Sequence, residues 1–155
     1  MIPDSLATQP IFLCVDDTMV AKAGTRFENV SKLFDHAAHN GSNYLNGHCF
    51  VSIMLCIPVW KNDRVSYLSL PLGYRMWQKK ESKLELAASM IRQVMPEFQE
   101  KKQVIILCDS WYTKRNLVSI VDEYLNLDLI GNARIDSVMY DPVPAHTGHR
   151  GRPAK

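Results

Sequence analysis

No stretch of this 155-residue sequence approaches the roughly 20 consecutive apolar residues that a membrane-spanning helix needs, so no membrane partner is expected. The opening MIPDSLATQP has no basic start followed by an apolar block, which argues against a secretory leader. The four cysteines, Cys14, Cys49, Cys56 and Cys108, contain no C-x-x-C pair, so the usual zinc spacing is missing. They lie in apolar runs, where a free thiol is a small hydrophobe, and a reduced cytoplasmic setting suits them. Neither sign of charge dominates: 18 Lys and Arg stand against 16 Asp and Glu, a net +2. A balance that weak neither demands a nucleic-acid partner nor excludes one. No internal repeat is visible.

What the chain does have is an ordinary globular composition, 46% hydrophobic and 22% charged, at a length that suits one domain with a core. The segment IFLCV (11–15) is too short for a helix and too apolar for an exposed strand, so it reads as a buried strand. Residues 20–47 read as a long connection, with a helical turn in VSKLFDHAAH. The run HCFVSIMLCIPVW (48–60), the turn residues KNDR (61–64) and VSYLSLPL (65–72) predict an antiparallel hairpin.

The clearest helix is ESKLELAASMIRQVMPEF (81–98). Leu84, Ala87, Ala88, Ile91, Val94, Met95 and Phe98 share one face, and Ser82 and Glu85 are spaced as a capping box. QVIILC (103–108) is another buried strand. A second helix is expected over 113–125, with Leu117, Ile120, Val121, Tyr124 and Leu125 on one face. LDLIGNARI (127–135) reads as a strand of the parallel type. The tail DPVPAHTGHRGRPAK carries turn residues and no periodicity. Strands alternating with helices, plus a hairpin, make an α/β protein. Its mixed five-stranded sheet should have the first three strands antiparallel and the first, fourth and fifth parallel.

Two apolar strands run into acids: IFLCVDDT ends in Asp16 and Asp17, and VIILCDS ends in Asp109. In α/β sheets, sites gather beyond the carboxyl ends of strands. Two carboxylates brought together there repel unless a proton or a cation sits between them, and hard oxygen ligands suit Mg²⁺ or Mn²⁺. An aspartate after a strand is also a common turn or cap residue. Other acid-bearing α/β designs fit less well. Receiver domains place their phosphoacceptor much sooner after an acidic pair. Haloacid-dehalogenase-type phosphatases need Asp-x-Asp-x-Thr, and Thr18 stands where the second Asp belongs. A simple ribonuclease-H-type nuclease fits the topology as well as a transposase does.

Taken in order, VDDT, GHCFVSIMLCIP, ESKLELAASMI, ILCDSWY, GNARIDSVMYDPVP and GRPAK resemble the catalytic domain of DDE transposases of bacterial insertion sequences, over nearly all of residues 10–155. That family is of the cut-and-paste type with a ribonuclease-H-like core. The resemblance implies metal-dependent DNA strand cleavage and strand transfer, with Mg²⁺ or Mn²⁺ as cofactor. It implies DNA as partner, with a homo-oligomer or a full-length transposase as a further one, in the bacterial cytoplasm on nucleoid DNA. Its first acid maps to Asp17, with Asp16 as the alternative, and its second to Asp109. The third is a Glu in a Tyr-x-x-Arg-x-x-x-Glu pattern, which does not occur here. Asp122 and Glu123 lack that spacing and are not assigned. The expectation is a core incomplete at the C-terminus, truncated before the third acid: extension 1–10, catalytic core 11–140, and a basic loop or start of an insertion at 141–155. An inactive remnant that binds DNA or another transposase chain is the alternative, and the expectation is that the chain alone does not cut DNA.

GYRMWQKKESK (73–83) interleaves basic and aromatic residues, a composition suited to single-stranded or distorted DNA. Arg75, Lys79 and Lys80, with Arg150 and Arg152 of the tail, are the candidate DNA contacts. A solvated loop with aromatics packed on the sheet edge explains the same composition. Asp35, His36 and His39 read as a surface cluster, and His146 and His149 as loop residues. Trp111 and Tyr112 stand beside Asp109, placed equally well for the site or for the core.

Overall fold

The computed structural model describes residues 9–24, 26–35, 43–98 and 102–138. Arg150, Arg152, His36, His39, His146, His149 and the segment 141–155 lie outside them, as do residues 1–8 of the extension.

The described residues form one mixed sheet. Its strands are β1 (Ile11–Ala21), β2 (Ser31–Phe34), β3 (Tyr44–Lys61), β4 (Arg64–Met76), β5 (Val104–Cys108) and β6 (Leu127–Gly131). The order is β2-β3-β1-β5-β6, with β4 also paired to β3. β1 is antiparallel to β3 and parallel to β5, and β5 is parallel to β6. This is the expected ribonuclease-H-like arrangement with one strand more than expected, six in place of five.

The additional strand is β2, where the sequence suggested a helical turn. Its alternation decides the matter: Leu33 is buried while Lys32 and Phe34 on either side are exposed, a period of two rather than 3.6. Cross-strand contacts hold it. Phe34 meets Tyr44 edge-on at 5.2 Å, and the Lys32 ammonium lies 4.6 Å from the Tyr44 ring.

β3 and β4 form the expected hairpin. Asn62 and Asp63 both take positive φ (53° and 56°), the backbone of a tight two-residue turn between Lys61 and Arg64. β3 is 18 residues long, and its length carries β1 well past its partner on the other side. Pairing of β1 with β5 ends at Val15 and Cys108, whereas pairing with β3 continues to Ala21 and Gly47. Asp16 and Asp17 therefore lie within a strand, not off its end. They are off the end of the parallel partner only.

Helix α1 (Lys83–Val94) starts at the expected capping box. The Ser82 hydroxyl accepts from the Glu85 amide at 3.1 Å, and the Glu85 carboxylate accepts from the Ser82 amide at 2.9 Å. Leu84, Leu86, Ala87, Ala88, Met90 and Ile91 are buried. They pack against Leu13, Val15, Val51, Ile53, Val104 and Ile106 in one core on one face of the sheet. Replacing Ser82 by alanine is expected to lower stability by about 1 kcal/mol in a urea titration. The hydrogen bonds from Ser82 hold the Glu85 carboxyl below its ordinary pKa of 4.5. A depressed carboxylate stabilises above the unfolded pKa, so this contribution is lost as pH falls below about 4.5. The Ser82→Ala deficit should then shrink in acid.

The second expected helix is largely replaced by tighter turns. Only Arg115–Val118 (α2) is α-helical, and Ser119–Glu123 is a 3₁₀ helix. Lys114 supplies no side-chain cap, and β-branched Val118, Ile120 and Val121 disfavour a regular helix. Leu117 and Ile120 are buried, and their spacing of three serves a 3₁₀ turn as well as an α-helix. Leu125, expected on the apolar face, is fully exposed. The strand expected over 127–135 stops at Gly131. No helix among the described residues is long and apolar enough to cross a membrane.

Candidate active site

The alternation of β1 sets the site. Leu13 and Val15 point into the helix-covered core, and Asp17 follows them on the same face, across from Val51 of β3. Because β5 has ended, the space beside Asp17 is a notch rather than packed strand. Asp109 is the first residue past β5, and there the chain turns. Its Oδ1 accepts hydrogen bonds from the amides of Trp111 (3.0 Å) and Tyr112 (3.2 Å), as a turn aspartate does. Asp17 and Asp109 line the same cleft of about 330 Å³, together with Lys32, Lys79, Lys83, Trp77 and Trp111. Asp16 does not line it. Its carboxylate is exposed and accepts from the amide of Asp17 at 2.8 Å.

The Asp17 carboxylate is held from three sides. Lys83, the first residue of α1, places its ammonium 2.7 Å from Oδ2, with both side chains less than a fifth exposed (18% and 16%). Cys49 Sγ donates to Oδ2 at 3.3 Å, and the Tyr112 hydroxyl donates to Oδ1 at 3.1 Å. Tyr112 is completely buried. Burial first, and then the charge of Asp17, push its phenol far above the ordinary range, so it stays a neutral donor. Burial likewise raises the Cys49 thiol to about 11. These donors fix the carboxylate in position.

Of the candidate DNA contacts, Lys79 reaches the cleft, where its ammonium meets the Lys32 carbonyl at 3.2 Å. Arg75 does not: it turns the other way onto α1 and donates to Ser89 and Gln93. Lys80 is exposed and does not line the cleft. Glu123 makes a two-point ion pair with Arg92, at 2.6 and 2.8 Å, outside the cleft. Sequence reasoning missed Lys83, Cys49 and Lys32 as neighbours of the acids. The basic run around residue 80 was a signal for Lys83, but not for which of its lysines turns inward.

The loop carrying Asp109 is packed against the end of β6. A methyl group on Gly131 would stand 2.3 Å from Thr113 Cγ2 and 3.2 Å from the Cys108 carbonyl oxygen, so only glycine fits there. The Thr113 hydroxyl donates to the carbonyls of Ser110 and Asn132, which ties the loop shut.

The family model described as DDE superfamily endonuclease matches residues 2–155. This chain is a member of the DDE superfamily endonucleases. No curated protein matches it in sequence. DDE endonucleases act on DNA and generally use divalent metals. The residues present in this DDE endonuclease suit such an ion in kind: two carboxylates supply hard oxygens, and a cation, the Lys83 ammonium, already sits on one of them. Among the described residues no three His, Cys, Asp or Glu side chains converge in the way a complete metal site would need.

Proposed function

We propose that this chain carries the catalytic core of an insertion-sequence transposase. Asp17 and Asp109 would hold Mg²⁺ or Mn²⁺, and a third ligand would come from outside the described residues. The observation that carries this reading is the shared cleft, lined by the carboxylate of Asp17, which β1 carries past the end of β5, and by Asp109 just after β5, with the Lys83 ammonium seated on Asp17. When bound, such an ion activates water and stabilises the leaving oxygen in phosphoryl transfer. The protein's own part is positioning. Tyr112 and Cys49 orient Asp17, and two backbone amides orient Asp109. Lys32 and Lys79 offer positive charge to the DNA backbone on nucleoid DNA, and Trp77 and Trp111 offer flat apolar faces to unpaired bases. Cleavage at an element end would leave a 3′-hydroxyl, which would then attack target DNA. Lys80 would add charge outside the cleft, and Arg150 and Arg152 are proposed as further DNA contacts.

A second reading is a module that binds DNA or another transposase chain without cutting. It is favoured by the missing third carboxylate among the described residues. One experiment localises the metal. With Fe²⁺, ascorbate and peroxide, the bound ion should cleave the polypeptide near residues 17 and 109, and excess Mg²⁺ should suppress both cuts. Cuts elsewhere only would defeat the metal-site proposal. Residues 1–155 are expected not to nick supercoiled plasmid in Mn²⁺. Nicking that both Asp17→Ala and Asp109→Ala abolish would place the third ligand within this chain.

A further inference from the structure

Lys83 is the cleft residue whose position needs explaining. It opens α1, yet the first-turn amides are not what draws its partner: the helix caps itself through Ser82 and Glu85. The side chain instead runs back over the cleft to Asp17, 66 residues away in sequence, and forms the shortest contact that carboxylate makes. Its ammonium also lies over two rings, 5.4 Å from Trp77 and 5.1 Å from Trp111. Cation–π attraction gives it a second place to rest within the same cleft.

A divalent ion on Asp17 Oδ2 would compete for the same lone pairs. Two cations at hydrogen-bond distance from one oxygen repel strongly inside a poorly solvated cleft. The ammonium must therefore leave when the ion arrives. Once free, it stands in a cleft that already holds Lys32 and Lys79 and whose only other lining acid among the described residues is Asp109, which is also proposed to be taken up by the ion. The partner of matching charge that remains is a phosphate of bound DNA.

Building on the proposed metal site, we infer that Lys83 is an exchangeable counter-ion. It occupies the cation position on Asp17 while the cleft is empty, gives way to the divalent ion, and then takes a DNA phosphate. Metal and DNA binding are thereby coupled, and linkage makes that coupling reciprocal: each ligand tightens the other. The protein is protected meanwhile from an uncompensated carboxylate in its cleft.

The test is Mn²⁺ binding read from the free-ion electron paramagnetic resonance signal, with and without a DNA oligonucleotide. Without DNA, Lys83→Met should bind Mn²⁺ about tenfold more tightly than the unaltered protein, because no ammonium competes. DNA should tighten Mn²⁺ binding about fivefold or more in the unaltered protein and leave it unchanged in Lys83→Met. Lys83→Gln carries the same expectations should the methionine variant fold poorly, and Lys83→Arg should restore the competition. Asp17-dependent Mn²⁺ binding that Lys83→Met and Lys83→Gln leave unchanged or weaken overturns this inference alone. Mn²⁺ binding indifferent to Asp17→Asn overturns the metal-site proposal and this inference with it.

Discussion

Replacing Tyr112 with alanine is expected to remove about 3–5 kcal/mol of stability, the range for truncating a buried aromatic ring. Tyr112 is the largest of the completely buried side chains, and it lies in the same core cluster as Leu117 and Ile120 of the short helical turns and Leu13 of β1. The loop around it has little regular structure to fall back on. Losing the ring leaves a cavity beneath Asp109 that a turn held by two amides cannot collapse to fill. For a domain whose total stability is of order 5–15 kcal/mol, that loss is a large fraction. Tyr112→Phe keeps the ring and removes only the hydroxyl. A hydrogen bond to a charged group contributes about 1.5–3 kcal/mol. The cost here should fall at the lower end, because Lys83 and Cys49 still hold Asp17. The two variants separate packing from positioning. Urea titration should show the alanine variant far less stable than the phenylalanine variant. Mn²⁺ affinity should fall in the phenylalanine variant although its fold is intact. A loss below about 1 kcal/mol for Tyr112→Ala would mean the ring is not the core element described.

The second large effect is at Asp17. Asp17→Asn keeps the shape and removes the charge, and Mn²⁺ affinity should fall by about 100-fold or more, beyond what loss of a supporting second contact costs. Stability should fall as well, for a different reason. The ammonium of Lys83 is left against a neutral amide in a site where it is only 18% exposed. Exposed pairs contribute about 1 kcal/mol or less, and stripping one partner from a fully buried pair costs about 3–5 kcal/mol. This pair lies between, so about 2 kcal/mol is expected. The double variant Asp17→Asn with Lys83→Met should regain much of that loss, since no charge is then left unpaired. A double-mutant cycle in urea measures it, and strict additivity would rule out the coupling. Asp16→Asn, on the exposed face, should change neither quantity appreciably.

The features legible in the sequence share one property: they are written locally. The Asn62–Asp63 turn is specified by two residues that tolerate positive φ, and the hairpin follows from it. Helix α1 carries its own start signal in Ser82 and Glu85 and its own apolar stripe. Strand alternation allows only one of Asp16 and Asp17 to face the site, the family resemblance put Asp17 first, and the burial of Leu13 and Val15 places Asp17 in the cleft. β2 was misread because a four-residue strand carries too little periodicity to outweigh its neighbours, and what stabilises it is Tyr44 on another strand. The short turns at 115–123 were misread because a spacing of three apolar residues serves both helix types.

By itself, then, the sequence determined the β3–β4 hairpin, the start and apolar face of α1 and the buried runs of β1 and β5, because alternation, caps and turns act over a few residues. Only the tertiary structure decided where the acids stand. β1 outruns β5 because β3 is long enough to carry it, so Asp17 faces a notch instead of a neighbouring strand. The inward turn of Lys83 and the outward turn of Arg75 were likewise decided by packing. Two residues from the same basic run diverge because one begins α1 above the cleft and the other lies on β4, where Ser89 and Gln93 of α1 are nearer than the acids.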